Sequence, residues 1–157
     1  MITLRPMTKA EYPAYRAFLE ELYAAQSGTA YDCTLEHAAA WGRSVLAALL
    51  PAGFETPDAS FFNIVNEDNQ QVGAVWLAVQ DEFGQKAAFL RYIHIDEKFR
   101  CRGYAGQALQ AVEDVVKTRG FSALLLNVYG FNEQALRLYR RHGFSPLKMT
   151  MTKTLSS

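Results

Sequence analysis

Between residues 87 and 128 the apolar pattern changes period twice. Ala87 to Ile95 reads as a long strand, with Phe89, Arg91, Ile93 and Ile95 on one face and Leu90, Tyr92, His94 and Asp96 on the other. Ala105, Leu109, Val112 and Val116 then recur at helical spacing, and Gly120 stops that helix. Ala123 to Val128 is apolar apart from Asn127, the pattern of a strand buried on both faces. A strand, a helix and a doubly buried strand in succession call for a mixed α/β sheet with helices on both faces.

The flanking sequence extends this layout. Ile2 to Pro6 reads as a strand, and Thr8 with Glu11 three residues on has the spacing of a capping box. Tyr12, Tyr15, Phe18, Leu19, Leu22 and Tyr23 follow at helical spacing, with Ser27 and Gly28 as the stop. A second helix starts near Thr34 and carries Leu35, Ala39, Val45, Leu46 and Leu49. Ser60 to Val65 and Val72 to Val79 form a hairpin about the Asn66-Glu67-Asp68-Asn69 turn. Asn132 caps a helix with Ala135, Leu138 and Tyr139 that stops at Gly143, and Met149 to Thr154 reads as a last strand. The expected order is β-α-α-β-β-β-α-β-α-β.

Residues 1–157 make one domain by length, and a chain of this size buries roughly 70% of the surface its unfolded form exposes. Sixteen basic residues balance sixteen acidic ones, which argues against a dedicated nucleic-acid binder. No signal peptide or membrane span is legible. Cys33 and Cys101 form no disulfide framework, so a cytoplasmic protein is expected. His37, His94 and His142 lack metal-ligand spacing, so no metal is expected.

The chemistry concentrates at Lys98-Phe99-Arg100-Cys101-Arg102-Gly103-Tyr104-Ala105-Gly106. A strand ends, a glycine-bearing turn follows and a helix begins, so several backbone N–H groups converge at the positive end of a helix. That spot suits a phosphate or pyrophosphate. Gly103 lets an anion approach the backbone, Ala105 and Gly106 keep side chains away, and Lys98, Arg100 and Arg102 add charge. Neither G-x-G-x-x-G nor G-K-[ST] is present, so dinucleotide and P-loop readings fail. Taken alone, the stretch also fits a helix start with a solvated basic turn.

A second motif bears on that choice. Arg100-x-x-Gly103-x-Ala105 together with Asn132-x-x-Ala135-x-x-Leu138-Tyr139-x-x-x-Gly143-Phe144 resembles the signature of the GNAT superfamily of N-acetyltransferases. The strong part of the resemblance spans about Phe89 to Phe144. It implies a mostly antiparallel twisted sheet whose two central parallel strands, here Ala87–Ile95 and Ala123–Val128, splay apart around acetyl-CoA. It further implies that main-chain groups of Ile93, His94 and Ile95 meet the pantetheine arm. The pyrophosphate would rest on the amides of Cys101, Arg102, Gly103, Tyr104, Ala105 and Gly106, beside Arg100. Asn132 would contact the cofactor, and the Tyr139 hydroxyl would lie near the thioester sulfur as the acid for the leaving thiolate. The partner would be a small-molecule or peptide amine, acetylated by direct transfer in a ternary complex, with the enzyme a monomer or homodimer.

A phenol with a pKa near 10 is a reasonable acid for a thiolate whose conjugate acid has a pKa near 8.5. The general base is not legible. His94, Asp81, Glu82, Asp96 and Glu97 are candidates, and a water-relayed base is the default. Cys101 has no histidine beside it in sequence and takes a backbone role in the turn. Arg137, Arg140 and Arg141 read as a solvated helix face or a contact to the CoA 3′-phosphate. Tyr23, Tyr31, Trp41 and Trp76 are candidate walls of the acceptor site. The alternatives are a non-catalytic acyl-CoA-binding module on the same fold and an α/β nucleotide binder.

Overall fold

The reciprocal Thr8–Glu11 bonds of a capping box form, but in the turn ahead of the helix, whose N-cap is Glu11 and not Thr8. The Thr8 amide donates to Glu11 Oε1 at 2.9 Å and the Glu11 amide to Thr8 Oγ1 at 3.3 Å. Regular helix follows directly as α1, Tyr12–Tyr31, with Pro13 in its first turn, where proline costs least. The computed structural model describes residues 1–156. It adds α2 (Leu35–Leu49), α3 (Tyr104–Thr118) and α4 (Glu133–Arg141). The strands are β1 (Thr3–Pro6), β2 (Ser60–Val65), β3 (Gln71–Glu82), β4 (Gln85–Ile95) and β5 (Leu124–Leu126). The sheet order is β1-β2-β3-β4-β5, antiparallel except for the parallel pair β4–β5. Among the described residues no helix is long and apolar enough to cross a membrane.

Each face of the sheet carries its own apolar core. On one, Ile64, Val72, Val75, Leu77, Ala88, Leu90 and Ile95 meet Ala108, Leu109, Val112 and Val116 of α3. On the other, Phe61, Ala74 and Trp76 meet Tyr12, Tyr15 and Leu19 of α1 and Leu46 of α2. These are the helical and strand periods of the sequence, closed against each other.

Four expectations need correction. Ser27 and Gly28 do not end α1, which runs on to Tyr31 and stops at Asp32 in the left-handed region. Ser27 is buried and Gly28 lies against Ala38 of α2, so packing offsets the intrinsic cost of glycine in a helix. The strand expected over Ala123–Val128 is confined to Leu124–Leu126, and its residues are only half-buried. The last strand, Met149–Thr154, is absent. Its alternation is real, but Met149 and Met151 stand 74% and 86% exposed with no described strand beside them. A period of two yields a strand only where an edge is there to pair with. Finally, β4 does not alternate simply. Trp76 pairs with Tyr92, but Leu77 pairs with Leu90, which leaves Arg91 as an extra residue. This β-bulge moves Tyr92 and His94 to the α1 face while Leu90 stays on the α3 face.

Candidate active site

The parallel pairing of β4 with β5 covers Ala88↔Leu124, Phe89↔Leu125 and Leu90↔Leu126, and then stops. The bulge at Arg91 follows immediately and bends β4. From Arg91 to Ile95, β4 has β3 on one side and no strand on the other. A gap therefore opens between the two parallel strands, with unpaired backbone along the β4 edge.

At the far end of β4 a short 3-10 turn, Glu97–Phe99, leads into the basic turn. Cys101 and Gly103 both lie in the left-handed region, with φ of 63° and 79°. Gln107 is the first helix amide to find a carbonyl, that of Gly103. The amides of Cys101 through Gly106 donate to no backbone or side-chain acceptor among the described residues. Such alternating handedness curls successive N–H groups into an anion-binding concavity. Arg100 braces it, its Nε donating to the Ile95 carbonyl at 3.0 Å, and Arg102 Nη2 reaches the Lys98 carbonyl at 3.4 Å. Tyr104 turns inward and is buried with Ala108 and Leu109, while Ala105 packs on the same core. A Cβ on Gly106 would stand 2.8 Å from His142 Nε2, so α3 and the end of α4 close tightly there. The free amides and neighbouring cations fit a pyrophosphate, and the unpaired β4 edge fits an extended chain carrying amides.

The other expected site residues are distributed as follows. Ile93 and Ile95 point to the α3 core, leaving only their backbone to the gap. His94 is packed under α1, stacked on Phe18 at 4.4 Å and bonded through Nε2 to Asp96 Oδ1 at 3.3 Å. Burial pushes its pKa down and Asp96 opposes this, so the ring is neutral near pH 7. Its Nδ1 is enclosed without a partner, which makes it a packed histidine rather than an open base. Asp81 pairs with Lys86, and Glu82 lies near Lys148, both at the opposite end of the β3–β4 hairpin. Asn132 caps α4, its Oδ1 accepting from the Ala135 amide at 3.3 Å. Its Nδ2 makes no hydrogen bond among the described residues.

Tyr139 rises from α4 against the α3 core, edge-on to Phe144 at 5.7 Å. Burial holds its phenol above the ordinary value, so it carries its proton. Tyr92 lies on the α1 face, tilted against Phe18 at 6.1 Å, its phenol pushed up to about 12 by burial, with Tyr139 and Tyr23 contributing. Tyr23 of α1 is in turn influenced by Arg91 and Tyr129. Trp76 is core and forms no wall, and Tyr31 and Trp41 are exposed on the helical hairpin. A cavity of about 200 Å³ is lined by Glu113, Phe121, Leu124, His142 and Phe144.

Sequence reading missed Arg91, Tyr92 and Tyr129. The one available signal was an arginine in the middle of an otherwise apolar strand. The bulge itself left no trace, because Phe89, Arg91 and Ile93 keep perfect alternation.

Residues 14–144 match the acetyltransferase (GNAT) family. The uncharacterised N-acetyltransferase YycN of Bacillus subtilis (strain 168) is 31% identical over 154 residues, covering 98% of this chain and 99% of that protein. The uncharacterised N-acetyltransferase YdgE of the same strain is 30% identical, covering 98% of both. The crystal structure of YycN superposes with a TM-score of 0.93 over 100% of each chain. An aminoglycoside N-acetyltransferase, AAC(6')-Iy, in complex with CoA shares the fold at a TM-score of 0.62 and 16% identity, covering 100% of this chain and 96% of that one. With its splayed parallel strands and its amide-lined turn, the chain belongs to the GNAT family of acetyltransferases.

Proposed function

We propose that residues 1–157 act as one domain that moves an acetyl group from acetyl-CoA to a primary amine by direct transfer in a ternary complex. The observation that carries this is the pairing of two features on one strand. β4 parts from β5 at Leu90, and the same strand ends in the free amides of Cys101 to Gly106.

Acetyl-CoA supplies an activated acyl thioester. The chain supplies the rest. The Cys101–Gly106 amides, with Arg100 and Arg102, hold the pyrophosphate; backbone of Ile93, His94 and Ile95 aligns the pantetheine arm; the Nδ2 of Asn132 donates to the same ligand. An unpaired β4 amide beyond Leu90 donates to the carbonyl oxygen as the amine nitrogen bonds to carbon and negative charge builds there. As the carbon–sulfur bond breaks, Tyr139 gives its proton to the departing sulfur. The proton lost by the amine leaves through water. A phenol held above its ordinary pKa by burial stays protonated across the working range, as a donor requires.

Thermal unfolding with and without acetyl-CoA tests the binding half, with ATP and NAD as controls. A ligand specific to the folded state adds about 2.7 kcal/mol at a hundredfold excess over Kd. A shift with acetyl-CoA alone is expected, and none at millimolar acetyl-CoA refutes the reading. Tyr139→Phe tests the chemistry by thiol release. It should leave that thermal shift intact and lower kcat about a hundredfold or more. Unchanged kcat would remove Tyr139 from the reaction.

A further inference from the structure

Two strands that the sequence calls for fall short, and each lacks what the other offers. β5 pairs with β4 along one edge at Leu124, Leu125 and Leu126, and its outer edge meets no strand among the described residues. An open edge is a row of unpaired N–H and C=O groups, which proteins blunt with lysine, proline or a bulge. This edge carries three leucines and none of those devices, and all three are only half-buried. Residues 147–155 are the converse. Leu147, Met149, Met151 and Leu155 fall on one side of a period of two, and Thr150, Thr152 and Thr154 on the other, with Lys153 the exception. The four apolar side chains stand 73% to 86% exposed. No backbone group from residue 145 to 156 is hydrogen-bonded among the described residues.

Both features lie at one end of the sheet. β5 runs parallel to β4 from Ala88↔Leu124, so the β3–β4 turn that precedes Ala88 sits where β5 begins. Lys148 Nζ is 3.9 Å from Glu82 Oε1 beside that turn, which places the start of the 147–155 segment there. Phe83 at the turn is wholly exposed and holds a φ of 53°, a left-handed conformation that a bulky side chain adopts at a cost. The 200 Å³ cavity is walled by Phe121, Ala123, Leu124 and Phe144, at the same start of β5. An apolar knob, an apolar hollow, an open edge and an unpaired strand thus share one end of the molecule. Single chains rarely leave apolar groups so collected in water.

The donor strand and the acceptor edge belong to the same sequence, and the hinge between them decides how they meet. Residues 144–146 alone join Gly143, which ends α4, to the segment. Pro146 holds Ser145 extended, and a short stiff hinge directs a strand away from its own body and favours exchange. We propose that a second copy of this chain docks on this end, each copy laying residues 147–155 along the outer edge of the other's β5 as a sixth strand. A two-fold axis closes both edges at once and leaves no strand over to propagate. The exchange pairs the free backbone of both strands and takes the alternating apolar side chains out of water. It goes beyond acetyl transfer and needs no ligand.

The test is light scattering on the full chain as it leaves a sizing column, followed by cross-linking. A dimer is expected at about 10 µM chain. Met149→Lys combined with Met151→Lys alters two side chains that the single chain already leaves in water, so it should fold and run as a monomer. A chain ending at Ser145 should do the same. For the second arm, isotope-labelled and unlabelled chains are refolded together in equal amounts and treated with a lysine-reactive cross-linker. Lys117, which lines the cavity, should link to Lys153 in mixed labelled–unlabelled pairs. A wild-type monomer at all concentrations up to about 200 µM overturns the proposal. So does a dimer that survives the double lysine variant, since its interface would lie elsewhere. So does linkage of Lys153 only to its own isotope, since the segment would then cover its own β5.

Discussion

Replacing Glu11 with alanine should cost about 2–4 kcal/mol at pH 7, and the reason is a single carboxylate serving five donors. Oε1 accepts from Arg5 Nη1 at 3.2 Å, the Thr8 amide at 2.9 Å and Thr8 Oγ1 at 3.0 Å. Oε2 accepts from Arg5 Nη2 at 3.0 Å and Asn63 Nδ2 at 3.0 Å. The parts are unequal. The Arg5 pair has side chains 45% and 33% exposed, so solvent screens it and it adds little. The capping contact to Thr8 adds about 1 kcal/mol. Asn63 decides the total: it is only 1% exposed, its Oδ1 is already unpartnered, and without Glu11 its amide is orphaned, at about 1–3 kcal/mol. The same bonds hold the Glu11 carboxyl at about 2, down from 4.5, with Arg5 the largest cause and Thr8 next. A depressed carboxyl pKa contributes stability that is fully present above 4.5 and lost as pH falls through 2. The assay is urea unfolding of wild type and Glu11→Ala from pH 7 down to pH 2. The gap between them should be widest at pH 7 and close progressively below pH 4.5. A gap under about 0.5 kcal/mol at pH 7, or one that stays constant on acidification, refutes the account, since either would mean water replaces these bonds at little cost.

Two further substitutions probe the frame of the gap. In Gly73→Ala the new Cβ would collide with the His94 carbonyl oxygen, and that neighbour is backbone. The strands must separate at Gly73↔Ile95, so a loss of about 3 kcal/mol or more in urea unfolding is expected, with weaker acetyl-CoA binding by what remains folded; a wild-type midpoint would mean β3 can shift freely. Cys101 is exposed and sits at φ 63°, where a side chain is strained, so Cys101→Gly should raise stability by about 0.5–1 kcal/mol after the glycine's greater unfolded-state entropy is subtracted. Cys101→Ala should keep kcat within about twofold, and a collapse of activity would instead point to an acyl-cysteine.

The sequence by itself determined the local events. Thr8 and Glu11 form their box because both partners lie within one turn. Gly103 and the residues after it start α3 where the glycine and the apolar period meet. Asn132 caps α4 for the same reason. The two motifs at Arg100–Ala105 and Asn132–Phe144 carried the family, because their spacing records which backbone positions must face a ligand. Tertiary structure decided everything that depends on a distant partner. Gly28 stays helical because Ala38 packs against it. Met149–Thr154 alternates like a strand yet has no described strand beside it. Glu11 gains its weight from Asn63, fifty-two residues away. Above all, the side on which Arg91, Tyr92 and His94 emerge is set by the register of β3 against β4, where Leu77 takes Leu90 and skips Arg91. An alternating strand reads the same with or without a bulge, because a bulge is a relation between two strands and each strand's own pattern is silent about it.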